Sequence, residues 1–503
     1  MTPTHAYADL LARFKDLAIL NSCAAVLGWD QQTYMPKGGA ALRGEQMAWF
    51  AAEGHKRATD PKIAELLSLV EGSEVVANAD RAEAANVREW RHGYDRATKL
   101  PSRLVEELAR VTTAAQQSWD EAKGKSDFSL FRDDLAKVVS LKREETQAVG
   151  YQVHPYDALI DEYEPGTTAA ELKTLFSNLS KELVPLIAAI ANSGKKPDPT
   201  ILDRVYPVER QKLFAESAGA AVGFDFTAGR LDTTSHPFCS GFGPGDCRIT
   251  TRYNPRSFVD SFFGVLHEAG HGLYEQNLPK ERFGEPSGSY CSLGIHESQS
   301  RLWENQVGRS PAFWTHFFPR LQQTFPTAKD IAFDDFLFAI NDVKPSFIRV
   351  EADEVTYNLH VAIRFELELA LLDGQLPVAD LPQAWNDAMK AKLGITVPDD
   401  RRGCLQDVHW SFGGLGYFPT YTLGNLYAAQ LMESARKALP DLDSELSRGD
   451  CRSLKLWLGA NVHSQGRIHR AGELCRRATG NHLTCKPFIE YVKRKFGKLY
   501  GMY

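Results

Sequence analysis

Apolar positions along this chain recur mostly at intervals of three and four, the period of a helix that buries one face. Leu104, Val105, Leu108 and Val111 follow one face behind Pro101, which predicts a helix with proline in its first turn. Thr168-x-x-Glu171 has the form of a capping box, and Leu172, Leu175, Phe176 and Leu179 then repeat at helical spacing. Ile348, Val355, Leu359, Ile363, Leu367 and Leu371 form a third long stripe that runs to a stop at Gly374. All three stripes read as faces turned to a core. One region departs from this period: Gly241-Phe-Gly-Pro-Gly245 is turn chemistry, and the β-prone Arg248-Ile-Thr-Thr-Arg-Tyr253 follows it, which predicts a hairpin or small sheet. No repeat of fixed period is present, and the short stretch from Asn192 to Pro199 reads as a loop within one body.

Composition narrows the class. With 43% hydrophobic and 24% charged residues, the 503-residue chain has the balance of a folded globular protein and the length for a large core. It is expected to fold as one catalytic domain, 1–503, mainly α. A formal net charge of -6 gives no reason to expect affinity for phosphate backbones, so nucleic acid is not an expected partner. Charged residues interrupt the first twenty positions, and no run of about twenty apolar residues stands out to span a bilayer. No membrane partner is expected, and the cytoplasm is the expected compartment. The eight cysteines contain no Cys-x-x-Cys pair and read as reduced thiols rather than disulfides or a thiolate metal site.

The chemistry concentrates after the predicted sheet. Asn254-Pro255 can cap a helix carrying Phe258, Phe262, Val265, Leu266 and Ala269 into His267-Glu-Ala-Gly-His271. Four residues advance a helix by about one turn, so both imidazoles project from one face and can share an ion, with Glu268 beside them as general base. Gly270 and Gly272 each cost about 1 kcal/mol in a helix interior relative to alanine, so a close neighbouring backbone is expected there.

A catalytic zinc ion takes three protein ligands and keeps one position open. Asn277 stands where a His-x-x-Gly-x-x-His class would carry its third histidine, which excludes that class. Glu297, which is 297 − 271 = 26 residues beyond His271, opens a second amphipathic stretch and is the predicted third ligand. Its plain alternative is a solvated carboxylate at a helix start. In the expected reaction the ion polarises a scissile carbonyl and acidifies water, while Glu268 takes the proton and returns it to the leaving amine. Zn²⁺ suits two imidazoles and a carboxylate, with Co²⁺ or Mn²⁺ as alternatives, one ion per subunit.

Several blocks together resemble the Taq-type thermostable metallocarboxypeptidase family, in particular kinetoplastid and bacterial members. They are His236-Pro-Phe238, Asp246-Cys-Arg248-Ile-Thr250, His267 to His271, His296-Glu297-Ser-Gln299, Ile348 to Glu354, and Gly403-Cys-Leu-Gln406-Asp407-Val-His409-Trp410. Gly28-Trp29-Asp30 and Tyr163-Glu-Pro-Gly166 extend the resemblance over nearly the whole chain. It implies two helical lobes flanking a deep central groove, a small sheet beside the metal, a homodimer, and removal of single residues from peptide C-termini. By the same resemblance Arg349 binds the substrate carboxylate, against the plain alternative of a helix-surface pair with Asp353. His409 and Tyr417, and after it Tyr421, are directed at the substrate carbonyl, while His236 and Arg248, with Asp246 and Thr250, shape the peptide-contacting rim. Two rival readings remain: an endo-acting zinc oligopeptidase in the same fold, and a helical binding protein without turnover.

Overall fold

The computed structural model describes residues 1–502. Chain contacts divide it into two compact units, one made of residues 1–98, 198–340 and 427–483, the other of 99–197, 341–426 and 484–503. The stretch expected to be a loop within one body is therefore where the chain passes between units, at Pro197 and Asp198.

The first unit combines helices with the small sheet. Near its start, Ala6, Leu10, Ile63, Leu66, Leu67, Val70, Val87 and Trp90 form a buried cluster on which Phe14 stacks, its ring 4.7 Å from that of Trp90. The sheet has the order β1-β3-β2, with β1 Gly229–Thr233, β2 Cys239–Gly243 and β3 Asp246–Thr251. β1 pairs with β3 in parallel and β2 with β3 in antiparallel, so the predicted hairpin is present with a third strand added. The β2–β3 register shifts between Gly241 and Gly243, where Gly243 takes a φ of 139° that only glycine adopts without strain. Behind the sheet runs the helix Val259–Asn277, called the motif helix below. Its cap is Phe258, four residues later than expected: the Asn254 side chain instead accepts from the Arg256 amide and closes a local turn. Its apolar side is fixed by aromatic packing of Phe258 and Phe262 with Phe214, Trp314, Phe317, Phe325 and Phe336. All of these rings are buried, so the helix is anchored before its polar face is considered.

The second unit holds the remaining predicted helices. Ser102–Lys125 forms as expected, with Pro101 as its N-cap rather than its first turn, and of its predicted stripe Leu104 and Val111 are buried while Val105 is exposed. Ala169–Asn192 has the predicted capping box, the Thr168 hydroxyl accepting from the Glu171 amide and the Glu171 carboxylate accepting from Thr168. By length and composition this helix could cross a membrane, although Glu171, Lys173, Lys181 and Glu182 interrupt it, and its face from Leu172 to Ile190 is buried in the unit. The third stripe predicts one helix from Ile348, but the helix is Tyr357–Asp373. Asp353 ends the irregular part: its carboxylate accepts from the amides of Val355 and Thr356 and from the Thr356 hydroxyl, in the manner of a cap. Gly374, at φ 76°, closes the helix as predicted. This helix is buried almost all round, yet His360, Arg364 and Glu368, spaced four apart, are each fully buried within it. The eight cysteines are free thiols, with Cys239 and Cys247 facing each other across β2 and β3 at 3.6 Å between sulfurs.

Candidate metal centre and arginine cluster

The motif helix presents His267 and His271 on one face, and the helix Leu293–Arg301 brings Glu297 to them. Ser292 caps this second helix through the Ile295 amide. The two backbones meet closely at Gly270, where a Cβ would stand 2.5 Å from the Gln299 carbonyl oxygen and 2.6 Å from the Ser300 Cα. At Gly272 a Cβ would stand 2.5 Å from the ring of Phe224 and 3.4 Å from Ile249 of β3. Both glycines thus have the packing reason expected of them: one admits the neighbouring helix, the other the layer over the sheet.

Nε2 of His267 and of His271 lie 3.8 and 3.4 Å from Glu297 Oε2, and all three donor atoms lie within 4.8 Å of one another. Donors held at about 2.0–2.2 Å by a tetrahedral ion stand roughly 3.3–3.6 Å apart, so the set fits a small divalent cation. Each side chain is also held from behind. His267 Nδ1 is 2.8 Å from Glu304, whose carboxylate also meets Arg301 at 3.4 Å and Arg309 at 3.6 Å. Glu297 accepts from Arg301 at 2.6 Å and from the Ser300 hydroxyl. Directly after the Glu297 helix the chain widens into a π turn, Leu302–Val307, which carries Glu304. Such turns recur at functional sites. Here the turn lets one segment offer a carboxylate to each nitrogen of His267.

The charges are consistent with a cation. Burial opposes a charge on His267, but Glu297 and the hydrogen-bonded Glu304 raise it to about 9, so positive charge is favoured at this ring. Burial, with repulsion from His296 and His267, lowers His271 to about 3 against the pull of Glu297, leaving a neutral imidazole. Burial raises Glu268 to about 7, against the attraction of His267. Glu297 is held well below the usual range, against burial, by Arg301, His267 and His271. Three carboxylates surround the two imidazoles, and Arg301 and Arg309 offset two of their charges.

The second unit gathers a different set. Of the two expectations for Arg349, a substrate clamp or a surface partner of Asp353, the surface pair is not what forms. Arg349 is 4% exposed, and its Nε and Nη2 both donate to Asp407 Oδ1, at 3.1 and 2.8 Å, while Nη1 donates to the Tyr357 hydroxyl at 2.8 Å. Arg364 binds the other oxygen of Asp407 at 2.7 Å through Nε. Gln406 completes the frame by accepting from the Arg349 amide and from Arg364 Nη2. Asp407 is therefore depressed, burial being outweighed by Arg349, Arg364 and His409. His409 Nε2 lies 3.1 Å from the Tyr421 hydroxyl, and the rings of Tyr417 and Tyr421 are 5.4 Å apart. The guanidinium of Arg349 lies over Tyr421, 4.7 Å from its centroid. Burial lowers His409 to about 4, against the attraction of Asp407, so it is neutral near pH 7. Arg349, His409, Tyr417 and Tyr421 thus belong to one cluster.

The remaining predicted residues sit on the sheet side of the first unit. Arg248 forms two bonds to Asp246, at 2.9 and 2.8 Å, and lies 4.4 Å over Trp29. Thr250 Oγ1 both accepts from the Phe238 amide and donates to the Phe238 carbonyl, so this block ties down the strand leading from His236. His236 itself is exposed in the β1–β2 connection. Sequence reading missed Glu304, Arg301, Arg364 and the partners of His296. A charged residue inside an otherwise apolar stripe, such as Arg364 or Glu368, is the signal that could have found some of them.

A model of the carboxypeptidase Taq (M32) metallopeptidases matches residues 9–496. Over 511 residues, spanning 100% of both chains, the protein is 47% identical to thermostable carboxypeptidase 1 of Thermus thermophilus. It is 39% identical over 495 residues, 98% of each chain, to carboxypeptidase 1 of Bacillus subtilis. Among solved structures, the M32 carboxypeptidase of Deinococcus radiodurans R1 superposes with a TM-score of 0.95 at 39% identity, covering 99% of this chain and 100% of that one. Metallocarboxypeptidase 1 of Trypanosoma cruzi gives a TM-score of 0.93 at 36% identity, covering 98% and 99%.

Proposed function

The chain belongs to the carboxypeptidase Taq (M32) metallopeptidase family and is a metal-dependent carboxypeptidase acting on peptides, and we propose that His267, His271 and Glu297 hold its ion with Glu268 as general base. The observation that carries this reading is the convergence of three ligand atoms within 4.8 Å, from two helices, beside a buried carboxyl. The ion proposed is zinc, because two imidazoles and one carboxylate match its preferred donors, with cobalt and manganese as the other ions such a set accepts. When bound, the ion supplies Lewis acidity, polarising the scissile carbonyl and acidifying water.

The protein's own groups supply the proton traffic. Glu268, pushed up to about 7 by burial, is poised to take a proton from the attacking water and hand it to the leaving amine. Its 6% exposure keeps competing water away from the carboxyl. Arg349 and Arg364 share one carboxylate, so their cluster holds one positive charge more than Asp407 cancels. This excess is the proposed attraction for the substrate's terminal carboxylate, since the forked edge of Arg349 is already occupied by Asp407. Tyr417, Tyr421 and neutral His409 are the proposed donors toward the substrate carbonyl, and His236 and Arg248 the proposed rim. A cytosolic homodimer is proposed on the family resemblance, and light scattering should return about twice the 56.1 kDa chain mass.

Glu268→Gln is the direct test. It should retain the metal while turnover on a peptide falls about 10²- to 10⁴-fold, the usual contribution of general acid–base catalysis. Metal content by mass spectrometry and stepwise C-terminal shortening of a peptide read the two outcomes separately. Near-normal turnover would remove Glu268 from the reaction.

A further inference from the structure

The two histidines of the motif are anchored by different devices. His267 Nδ1 meets the carboxylate of Glu304 directly, at 2.8 Å. His271 Nδ1 meets another imidazole, Nδ1 of His296, at 2.5 Å, and the far nitrogen of that ring, Nε2, lies 2.8 Å from Glu275 Oε1. Glu275 stands four residues beyond His271 on the same helix, so the two side chains are neighbours along one face. His296 immediately precedes the proposed ligand Glu297 and reaches across to span both of them. Its ring is walled in by Tyr290, 5.0 Å away edge-on, and by Tyr274, 5.4 Å away, while it lies 4.6 Å from the ring of His271. The relay is thus boxed on its faces and bonded at both ends.

Proton counting gives the chain a direction. A carboxylate accepts hydrogen bonds, so the bond to Glu275 places a proton on His296 Nε2. In a neutral ring this leaves His296 Nδ1 as an acceptor, and the proton between the two imidazoles then belongs to His271 Nδ1. His271 Nε2, the atom 3.4 Å from Glu297, is left with its lone pair directed at the donor cluster. The opposite sense would protonate Nε2 and remove it as a ligand. We propose that His296 and Glu275 are positioning residues that fix the tautomer and orientation of His271 for the metal, a second histidine standing where a carboxylate or carbonyl commonly does. This inference rests on His271 being a ligand, as proposed above.

The physical expectation follows from how outer partners of metal-binding histidines behave: removing one costs about 10- to 100-fold in metal affinity. The full-length protein is stripped of metal and titrated with zinc against a chromophoric chelator, with the thermal midpoint of each metal-free variant recorded alongside. His296→Phe, which keeps a ring but neither hydrogen bond, should bind zinc about 10- to 100-fold more weakly. His296→Gln, whose amide offers both an acceptor and a donor, should recover part of that loss, a rescue that mere filling of space would not produce. Glu275→Leu removes the terminal acceptor and serves if His296→Phe does not fold. It should weaken zinc binding while leaving the metal-free midpoint near that of the parent. Unchanged zinc affinity in either His296→Phe or Glu275→Leu would overturn the proposal, as would equal affinities for the His296→Phe and His296→Gln variants. A separate control, His271→Ala, addresses the ligand assignment: parent-like zinc binding there would sink that reading, whatever the relay variants do.

Discussion

Each of the two units buries a carboxylate between two basic side chains, and the outcomes are opposite. In the first, Glu297 stands 3.8 and 3.4 Å from His267 and His271, distances too long for hydrogen bonds and suited to donors around an ion. In the second, Asp407 is joined to Arg349 and Arg364 at 2.8 and 2.6 Å, and no donor set is left over. The basic residue accounts for the difference. An imidazole can give up its proton and offer a lone pair to a cation, whereas a guanidinium has only donors and stays charged at any ordinary pH. The first arrangement is the donor set proposed to hold the ion, and the second is a closed ion-pair network that supplies fixed charge and rigidity.

Removing the two carboxylates should separate these roles most clearly. Asp407→Ala leaves two buried guanidiniums without their shared partner and is expected to destabilise the protein by about 3–5 kcal/mol in urea unfolding. Glu297→Ala should cost the metal-free fold less, because Arg301 keeps Glu304, yet should abolish tight metal binding. Equal losses of metal-free stability would erase the distinction between the clusters. Arg349→Gln addresses the closed network more gently, keeping a polar side chain beside Asp407 but removing the excess positive charge proposed to attract the substrate carboxylate. Losing one charge-assisted bond, about 1.5–3 kcal/mol, should lower kcat/KM on free-ended peptides roughly ten- to a hundredfold and spare C-terminally amidated ones. An equal drop on both substrates would make Arg349 a structural residue only.

Gly270→Ala tests the open set through its backbone. Overpacking against Gln299 and Ser300 is expected to cost about 1–3 kcal/mol and to weaken metal binding by moving Glu297. Gly44→Ala, in the helix Ala40–Ala58 with nothing within 4 Å of the added carbon, should instead stabilise by up to about 1 kcal/mol. Matching signs for the two substitutions would contradict the close helix approach.

The smallest effect concerns pH in the second unit. Burial raises Glu368 to about 7 although it accepts from Gly416, Trp410 and Tyr156, so its folded pKa lies above the unfolded value of about 4.3. Its contribution is therefore present below about pH 4 and is lost as pH rises through 7. Asp407 has the opposite sign: depressed by its arginines, it contributes above the unfolded value of about 3.9 and loses that contribution as pH falls. Thermal midpoints of the parent should decline relative to Glu368→Gln between pH 5 and 7.5. A rising difference over that window would show that the carboxyl is not held up by burial.

Much of the first centre was legible before any fold was known, because a spacing of four on a helix places two side chains on one face whatever the helix packs against. The capping box at Thr168, the hairpin around Gly243 and the stop at Gly374 were legible for the same reason: each depends on bonds or dihedral angles within a few residues. The start of the helix at Tyr357 departs from the stripe because apolar spacing continues through Ile348 and Val355, while the cap at Asp353 acts on amides only two and three residues away. The motif helix likewise started late because Asn254 closed its own turn.

What lay beyond the sequence was the choice of distant partners. Nothing near Arg349 in the chain names Asp407, 58 residues on, and nothing near His271 names His296 as its anchor in place of a nearer carboxylate. Short-range order follows from local geometry and is written at fixed intervals. Which buried charge meets which depends on how apolar faces pack, and a group removed from water must then bind whatever donor or acceptor that packing delivers.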